Sequence, residues 1–249
     1  METVSTRQFQ PFEQETLTIT RSDAEERSAV WSARRYSRIE RGSGDSSRYL
    51  FVFDEPESVR GVVFLIRKIE GGLQGHWVYL PALGPWMQRL GGGGGQAGIL
   101  DTDFTAEDLT DEDIQQTVYQ RKPDVMYHKR PHFLVEARSM KSDKRTESLY
   151  GFRRIYIDRE YFRINRIDLY DRSGALLKRR FNLGHKKTGS VWRPDMVRME
   201  NIQTGSHTTV KTSQRFFSED RVPEDFFSRD KIVKGILMEK KKREPGLLP

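Results

Sequence analysis

The sequence of 249 residues has no cysteine, so disulfides, thiol nucleophiles and thiolate metal sites are excluded and the redox compartment is left open. No stretch approaches the roughly 18 apolar residues of a membrane-crossing helix, and Met1 to Gln14 lacks the basic segment followed by an apolar one that marks a secretory leader. As it stands the chain reads as soluble, either cytosolic or exported and already without its leader. No pattern with a period of roughly 20 to 50 residues repeats along it, which excludes a repeat array. Nothing resembles G-x-S-x-G, and no Ser-His-Asp order stands out. Among the 5 histidines, His128 and His132 have the i, i+4 spacing of a helical metal pair, but Pro131 lies between them and no H-E-x-x-H pattern accompanies them. Asp101, Asp103, Glu107 and Asp108 lack the spacing of a calcium loop and read as helix caps. The expectation is a protein that is not an enzyme and carries no cofactor and no metal, although a pair of catalytic carboxylates stays open among 36 acidic residues.

What is present is charge, aromatic residues and alternation. Charged residues make up 32% of the chain and aromatics 11%, too many aromatics for a disordered polyelectrolyte. A chain of this length buries roughly 70 to 75% of its unfolded surface, and all-β units commonly run to roughly 200 to 250 residues as one domain. The net charge of +7 favours contact with anionic surfaces such as lipid headgroups or nucleic acid.

Residues Glu15 to Arg21 set Leu17 and Ile19 between threonines, the period of two of a strand with one buried face; Ala29, Trp31 and Ala33 repeat the rhythm. Tyr49 to Phe53 and Gly61 to Ile69 are more continuously apolar, which predicts strands covered on both faces, with Asp54 to Glu57 as the turn between them. Trp77 to Leu80 predicts another strand, and Trp86 to Leu90 a further one before five consecutive glycines, Gly91 to Gly95, which must be loop. Between Asp101 and Gln116, Thr105 with Asp108 and Thr110 with Asp113 have the form of helix starts, predicting one or two short helices. Strands then return over Phe133 to Arg138, Phe152 to Asp158, Arg163 to Tyr170, Ala175 to Leu183, Val191 to Gln203 and His207 to Phe217, with turns at Asp171 to Gly174 and Gln203 to Ser206. A meander of this length must close or curl to protect its edges and apolar face, and the helical insert is a natural cover for that face.

Three segments, WVYLPAL at Trp77 to Leu83, DTDFTAEDLTDED at Asp101 to Asp113, and VWRPDMVRMENIQTGSHTTV at Val191 to Val210 followed by VPEDFF at Val222 to Phe227, together resemble the outer-membrane lipoprotein-sorting family, relatives of the LolA/LolB-like periplasmic carriers. The similarity runs from about Glu15 to Asp230. It implies a mainly β (α+β) fold, a strongly curved, unclosed antiparallel β-barrel with a short helical insert covering the concave face. It also implies a periplasmic location and acyl chains bound inside, without catalysis. The chain departs from such proteins after the YLPAL segment, where Gly84, Pro85, Trp86 and Met87 replace a basic and serine-rich stretch, and it begins almost at the first strand.

The expected organisation is a flexible N-terminus over residues 1–14, a single LolA/LolB-like lipid-binding domain over 15–235, and a basic C-terminal tail over 236–249. A carrier removes acyl chains from water, where each CH₂ costs about 0.8 kcal/mol, and needs broad apolar walls and a mouth that can open. The expected walls are Leu50, Val52, Phe64, Ile66, Trp77, Tyr79, Trp86 and Met87. Strand parity is the open point, because a one-residue bulge exchanges the faces. Gly91, Gly92, Gly93, Gly94 and Gly95 are the expected flap hinge. Expected partners are a lipid or an acylated lipoprotein, an inner-membrane transporter or an outer-membrane acceptor, and transiently an anionic membrane surface. Nucleic acid is the weaker alternative, because the basic and aromatic residues between Arg153 and Arg166, and Lys178, Arg179 and Arg180, alternate with core-type residues. A sensor that uses the same curved sheet without moving lipid is the third reading.

Overall fold

Alternation in the sequence becomes one large sheet in the computed structural model, which describes residues 1–41, 46–69, 72–89, 98–112, 114–140 and 148–243. The strands run in chain order β1 (Phe12–Ser22), β2 (Ser28–Glu40), β3 (Ser46–Glu55), β4 (Val63–Ile69), β5 (Gly72–Tyr79), β6 (Trp86–Arg89), β7 (Thr117–Tyr127), β8 (Arg130–Ser139), β9 (Phe152–Asp158), β10 (Ile164–Tyr170), β11 (Leu176–Thr188), β12 (Val191–Asn201) and β13 (His207–Phe216). They form a 13-stranded antiparallel sheet in the order β6-β5-β4-β3-β2-β1-β13-β12-β11-β10-β9-β8-β7. Every strand lies beside its sequence neighbours except β6 and β7, which form the two edges, and β1 beside β13 joins the two meanders. The sheet is curved and unclosed, as the resemblance implied.

This order dictates the path of the connection between β6 and β7. The chain leaves one edge of the sheet and must re-enter at the opposite edge, so it has to cross a face. Residues 98–112 cross the inner one, as two 3₁₀ turns, Ile99–Asp101 and Glu107–Leu109. The expected helices shrink to these turns, and the capping pattern at Thr105 is realised: Asp108 Oδ2 accepts from Thr105 N and Oγ1, both at 2.9 Å. The second pattern, Thr110 with Asp113, and the expected hinge, Gly91 to Gly95, lie at least partly outside the described residues.

Cross-strand pairing settles the parity, because directly opposed residues share a face. One row runs Arg215, Glu15, Arg35, Phe51, Phe64, Val78, Met87 and faces the insert. A row one residue away runs Arg34, Val52, Val63, Tyr79, Trp86 on the other side. Both faces of β3 and β4 are buried, as their continuous apolar runs predict. The inner cluster joins Leu17, Ile19, Phe51, Phe53 and Phe64 to Ile99 of the insert. The outer cluster joins Leu50, Leu65, Trp77 and Tyr79 to Val222, Phe227 and Ile232. These last belong to a C-terminal segment of 3₁₀ turns and the helix α2 (Arg229–Arg243), so α2 spans the expected domain boundary at residue 236. At the other end, the helix α1 (Glu2–Arg7) occupies part of the segment expected to be flexible and buries Val4 against Val135, Ile155 and Ile157.

Strand β7 has no counterpart in the sequence reading. It is an edge strand whose side chains are mostly exposed, and the register shifts between Lys122 and Val125, around Pro123. Proline is tolerated at an edge or a bulge because no ladder bond is lost there. With one face solvated and a bulge in the middle, apolar alternation never develops.

Candidate functional site

Between the inner face, the insert and α1 lies a cavity of about 390 Å³, near the lower end of the roughly 300 to 1,000 Å³ of small-molecule sites. Its apolar wall comes from Leu17 and Ile19 of β1, Phe51 and Phe53 of β3, Val197 of β12 and Val210 of β13. Ile99, Phe104 and Leu109 of the insert close it from above. Each sheet residue is there because the two-residue period sends it to the same side as its cross-strand partner, for example Leu17 beside Ala33 and Ile19 beside Val210.

The insert is held by acidic residues reaching basic and hydroxyl groups of the sheet. Asp103 accepts from Ser206 Oγ at 2.6 Å and from Thr208 Oγ1 at 2.7 Å, while Lys178 Nζ donates to the Asp103 carbonyl at 2.7 Å. Glu107 accepts from Ser148 Oγ at 2.5 Å and Leu149 N at 3.0 Å; burial pushes its carboxyl up, against the pull of Arg153 and these bonds. Asp108 accepts from Tyr150 Oη at 2.7 Å. Asp111 accepts from the Tyr49 hydroxyl, and Lys68 Nζ donates to its carbonyl at 2.6 Å. Burial, then the Asp111 charge, pushes the Tyr49 hydroxyl well above its ordinary range. Glu112 pairs with Arg153 at 2.8 Å. The capping role expected for Asp101, Asp103, Glu107 and Asp108 is therefore confined to Asp108. Asp103 and Glu107 tether the insert to other elements, and Asp101 lies 3.6 Å from Arg21 at the surface.

Charge also enters the cavity floor. Glu13 and Glu15 are buried. Arg35 reaches Glu15 at 2.6 Å, Arg215 reaches Glu15 at 2.7 Å and Glu13 at 3.0 Å, and Arg193 reaches Glu13 at 3.2 Å. Burial alone would raise the Glu15 carboxyl, but Arg35 and Arg215 outweigh it and the net shift is downward. Arg180 also lines the cavity and, among the described residues, donates only to neutral oxygens, the Asp108 carbonyl and Asn182 Oδ1, both at 3.1 Å. Periodicity marked Leu17 and Ile19 as one buried face of a strand but did not point to this network, whose signal is the placement of Glu13, Glu15 and Arg35 at inward positions of otherwise apolar rows.

The residues expected as groove walls are not brought together. Phe64, Ile66 and Met87 share the inner face, Ile66 opposite Tyr49 and Met87 opposite Val78. Leu50, Val52, Trp77, Tyr79 and Trp86 face outward under α2 and the turns before it. Of the eight, none lines the cavity itself. The basic series divides in the same way. Arg153 points inward to Glu112, whereas Arg154 lies 3.5 Å from Glu136, and Arg166 and Arg179 share Asp168 at 2.7 and 3.1 Å. His132 is buried, with Nδ1 at 2.9 Å from the Arg130 carbonyl and Nε2 at 2.9 Å from Asn165 Nδ2. Among the described residues no group of His, Asp and Glu is arranged to hold a metal, and no helix is long and apolar enough to cross a membrane.

A family model described as "uncharacterized protein" matches residues 45–234, more than half of the chain. No curated protein matches by sequence. Among solved structures, a domain assigned to outer-membrane lipoprotein sorting from Vibrio parahaemolyticus is 26% identical, with a TM-score of 0.83 over 93% of this chain and 95% of that one. A DUF1329 family protein from Desulfovibrio piger is 20% identical, with a TM-score of 0.84 over 93% of this chain and 95% of that one. A LolA superfamily protein from Nitrosomonas europaea is 16% identical, with a TM-score of 0.73 over 92% and 96%. The chain belongs to the family whose model spans residues 45–234, and its fold is LolA-like, that of the lipoprotein-sorting proteins.

Proposed function

We propose that this protein binds the acyl part of a lipid or lipoprotein in its inner cavity and carries it within the periplasm toward the outer membrane. The observation that carries the reading is the cavity itself, walled by Leu17, Phe51, Phe53 and Val210 and roofed by an insert that crosses from one sheet edge to the other. Removing a chain from water at about 0.8 kcal/mol per CH₂ supplies the affinity. The tethers from Asp103, Glu107 and Asp111 are polar bonds that can break and reform without disturbing the core, so the roof is the part suited to admit a ligand. The role is binding and hand-over, not catalysis, and the partners are an inner-membrane donor and an outer-membrane acceptor. The resemblance in fold to a domain assigned to outer-membrane lipoprotein sorting supports this direction.

Native mass spectrometry of the protein purified from an envelope-containing host tests the reading. Phospholipid or acylated peptide co-purifying in a one-to-one complex is expected. A clean mass of the free protein after gentle preparation, unchanged on adding lipid, would contradict it and favour the sensor.

A further inference from the structure

The carboxylates lining the cavity are all paired. Glu13 and Glu15 meet Arg35, Arg193 and Arg215, Asp108 lies 3.5 Å from Lys178, Asp111 lies 3.7 Å from Lys68, and Glu112 meets Arg153. Arg180 is left over. No carboxylate lies within ion-pair distance of it among the described residues, and its Nη2 has no hydrogen-bond partner there. Its Nε and Nη1 are fixed by Asn182 and the Asp108 carbonyl, and Asn182 is itself held by donating to the Ile164 carbonyl at 2.9 Å. The guanidinium is thus held through two of its three nitrogens at the wall of the cavity, with the third without a partner among the described residues. Burial lowers its proton affinity, and the attraction of the more distant Asp108 does not offset burial and the repulsion of Arg35.

A largely apolar cavity lined by a cation that has no carboxylate partner among the described residues sets a condition on its ligand. While water fills the space, water solvates Nη2. A purely apolar ligand that displaced this water would leave a buried charge unsolvated, which costs affinity. A ligand with an anionic end restores the lost bond and adds a charge-assisted one, and the planar guanidinium is shaped for a carboxylate or phosphate. We propose that Arg180 holds the carboxylate or phosphate end of a single-chain amphiphile whose tail lies against Leu17, Phe51, Val197 and Val210. This rests on the lipid-binding reading and narrows it to acidic amphiphiles.

The test displaces N-phenylnaphthylamine, an uncharged fluorescent probe, from the full chain at neutral pH with hexadecanoate, hexadecyl phosphate, hexadecanol or inorganic phosphate. It is run on the natural protein and on Arg180→Gln. The expected result is that both anionic amphiphiles bind the natural protein at least about tenfold more tightly than the alcohol. Arg180→Gln removes that preference by weakening the anions and leaving the alcohol unchanged. Equal binding of acid and alcohol to the natural protein overturns the anion subsite while the lipid reading stands, and it does so whether or not the variant folds. A preference that survives in Arg180→Gln overturns the assignment to this residue. Displacement by inorganic phosphate as effective as by hexadecyl phosphate overturns the amphiphile in favour of a free-anion site. Failure of every amphiphile to bind overturns both readings.

Discussion

Glu15 lies between Arg35 and Arg215 on the cavity floor, and its position there has a consequence for stability. Its folded proton affinity is depressed below the ordinary 4.5, so at intermediate acidity the unfolded chain binds more protons than the folded one. Its contribution is fully present above about pH 4.5 and lost as pH falls through the folded value. Glu15→Gln leaves Arg35 and Arg215 short of a charge in a buried site, and a loss of about 3 to 5 kcal/mol is expected. Urea midpoints at neutral pH should fall accordingly, and between neutrality and strong acid the variant should lose less stability than the natural protein. An unchanged pH dependence would show that the pairing contributes nothing. Face assignment gives a second residue-level prediction. Phe51 and Leu50 are adjacent and both buried, yet Phe51 walls the cavity and Leu50 packs under α2. Each alanine variant should cost about 2 to 5 kcal/mol of stability, but only Phe51→Ala should weaken binding of an acyl probe to the folded protein. Equal effects on binding would mean the ligand is not confined to the inner face. At this scale the sequence made the buried residues of β3 and β4 legible but not their sides. Strands apolar on both faces have no phase, and phase appears only once β1, whose alternation is clean, fixes the register across the sheet.

The insert is the element on which the function turns. Its roofing role was legible from topology, since a single meander needs a cover, but its form was not. Acidic residues in a row read as caps because capping is local, whereas Asp103 and Glu107 reach groups distant in sequence, Thr208 and Ser148. The role of α2 as a cover for the outer face was not legible, because the lysines and arginines around it have the composition of a tail. Asp103→Ala removes the bonds from Ser206 and Thr208, leaves those hydroxyls without their acceptor, and should destabilise by about 1 to 3 kcal/mol. The expected signature is local. Hydrogen exchange over residues 98–112 should speed up while β1 and β13 keep their protection, and acyl-probe release should accelerate. A uniform rise in exchange across the sheet would show that Asp103 supports the whole fold and not the roof. Gly98 marks the start of this element in a second way, because a Cβ there would collide with the Thr102 carbonyl, so the tight turn into the insert requires glycine at that point.

At the scale of the whole molecule, one curved sheet serves two purposes with opposite faces. The outer face of β3 to β6 is filled by the chain's own C-terminal segment, which leaves the inner face as the place for a guest, between α1 and the insert. Photo-crosslinking shows whether an acyl chain occupies this inner cavity. A hexadecanoate carrying a diazirine near its tail is bound to the full chain, irradiated, and the adducts are mapped by peptide mass spectrometry. Adducts are expected on residues of the inner wall and roof, such as Leu17, Phe51, Val210 and Leu109, and should be lost when unlabelled hexadecanoate competes. Competed adducts concentrated instead on Leu50, Trp77, Tyr79 or Trp86 would place the lipid on the opposite face and contradict it.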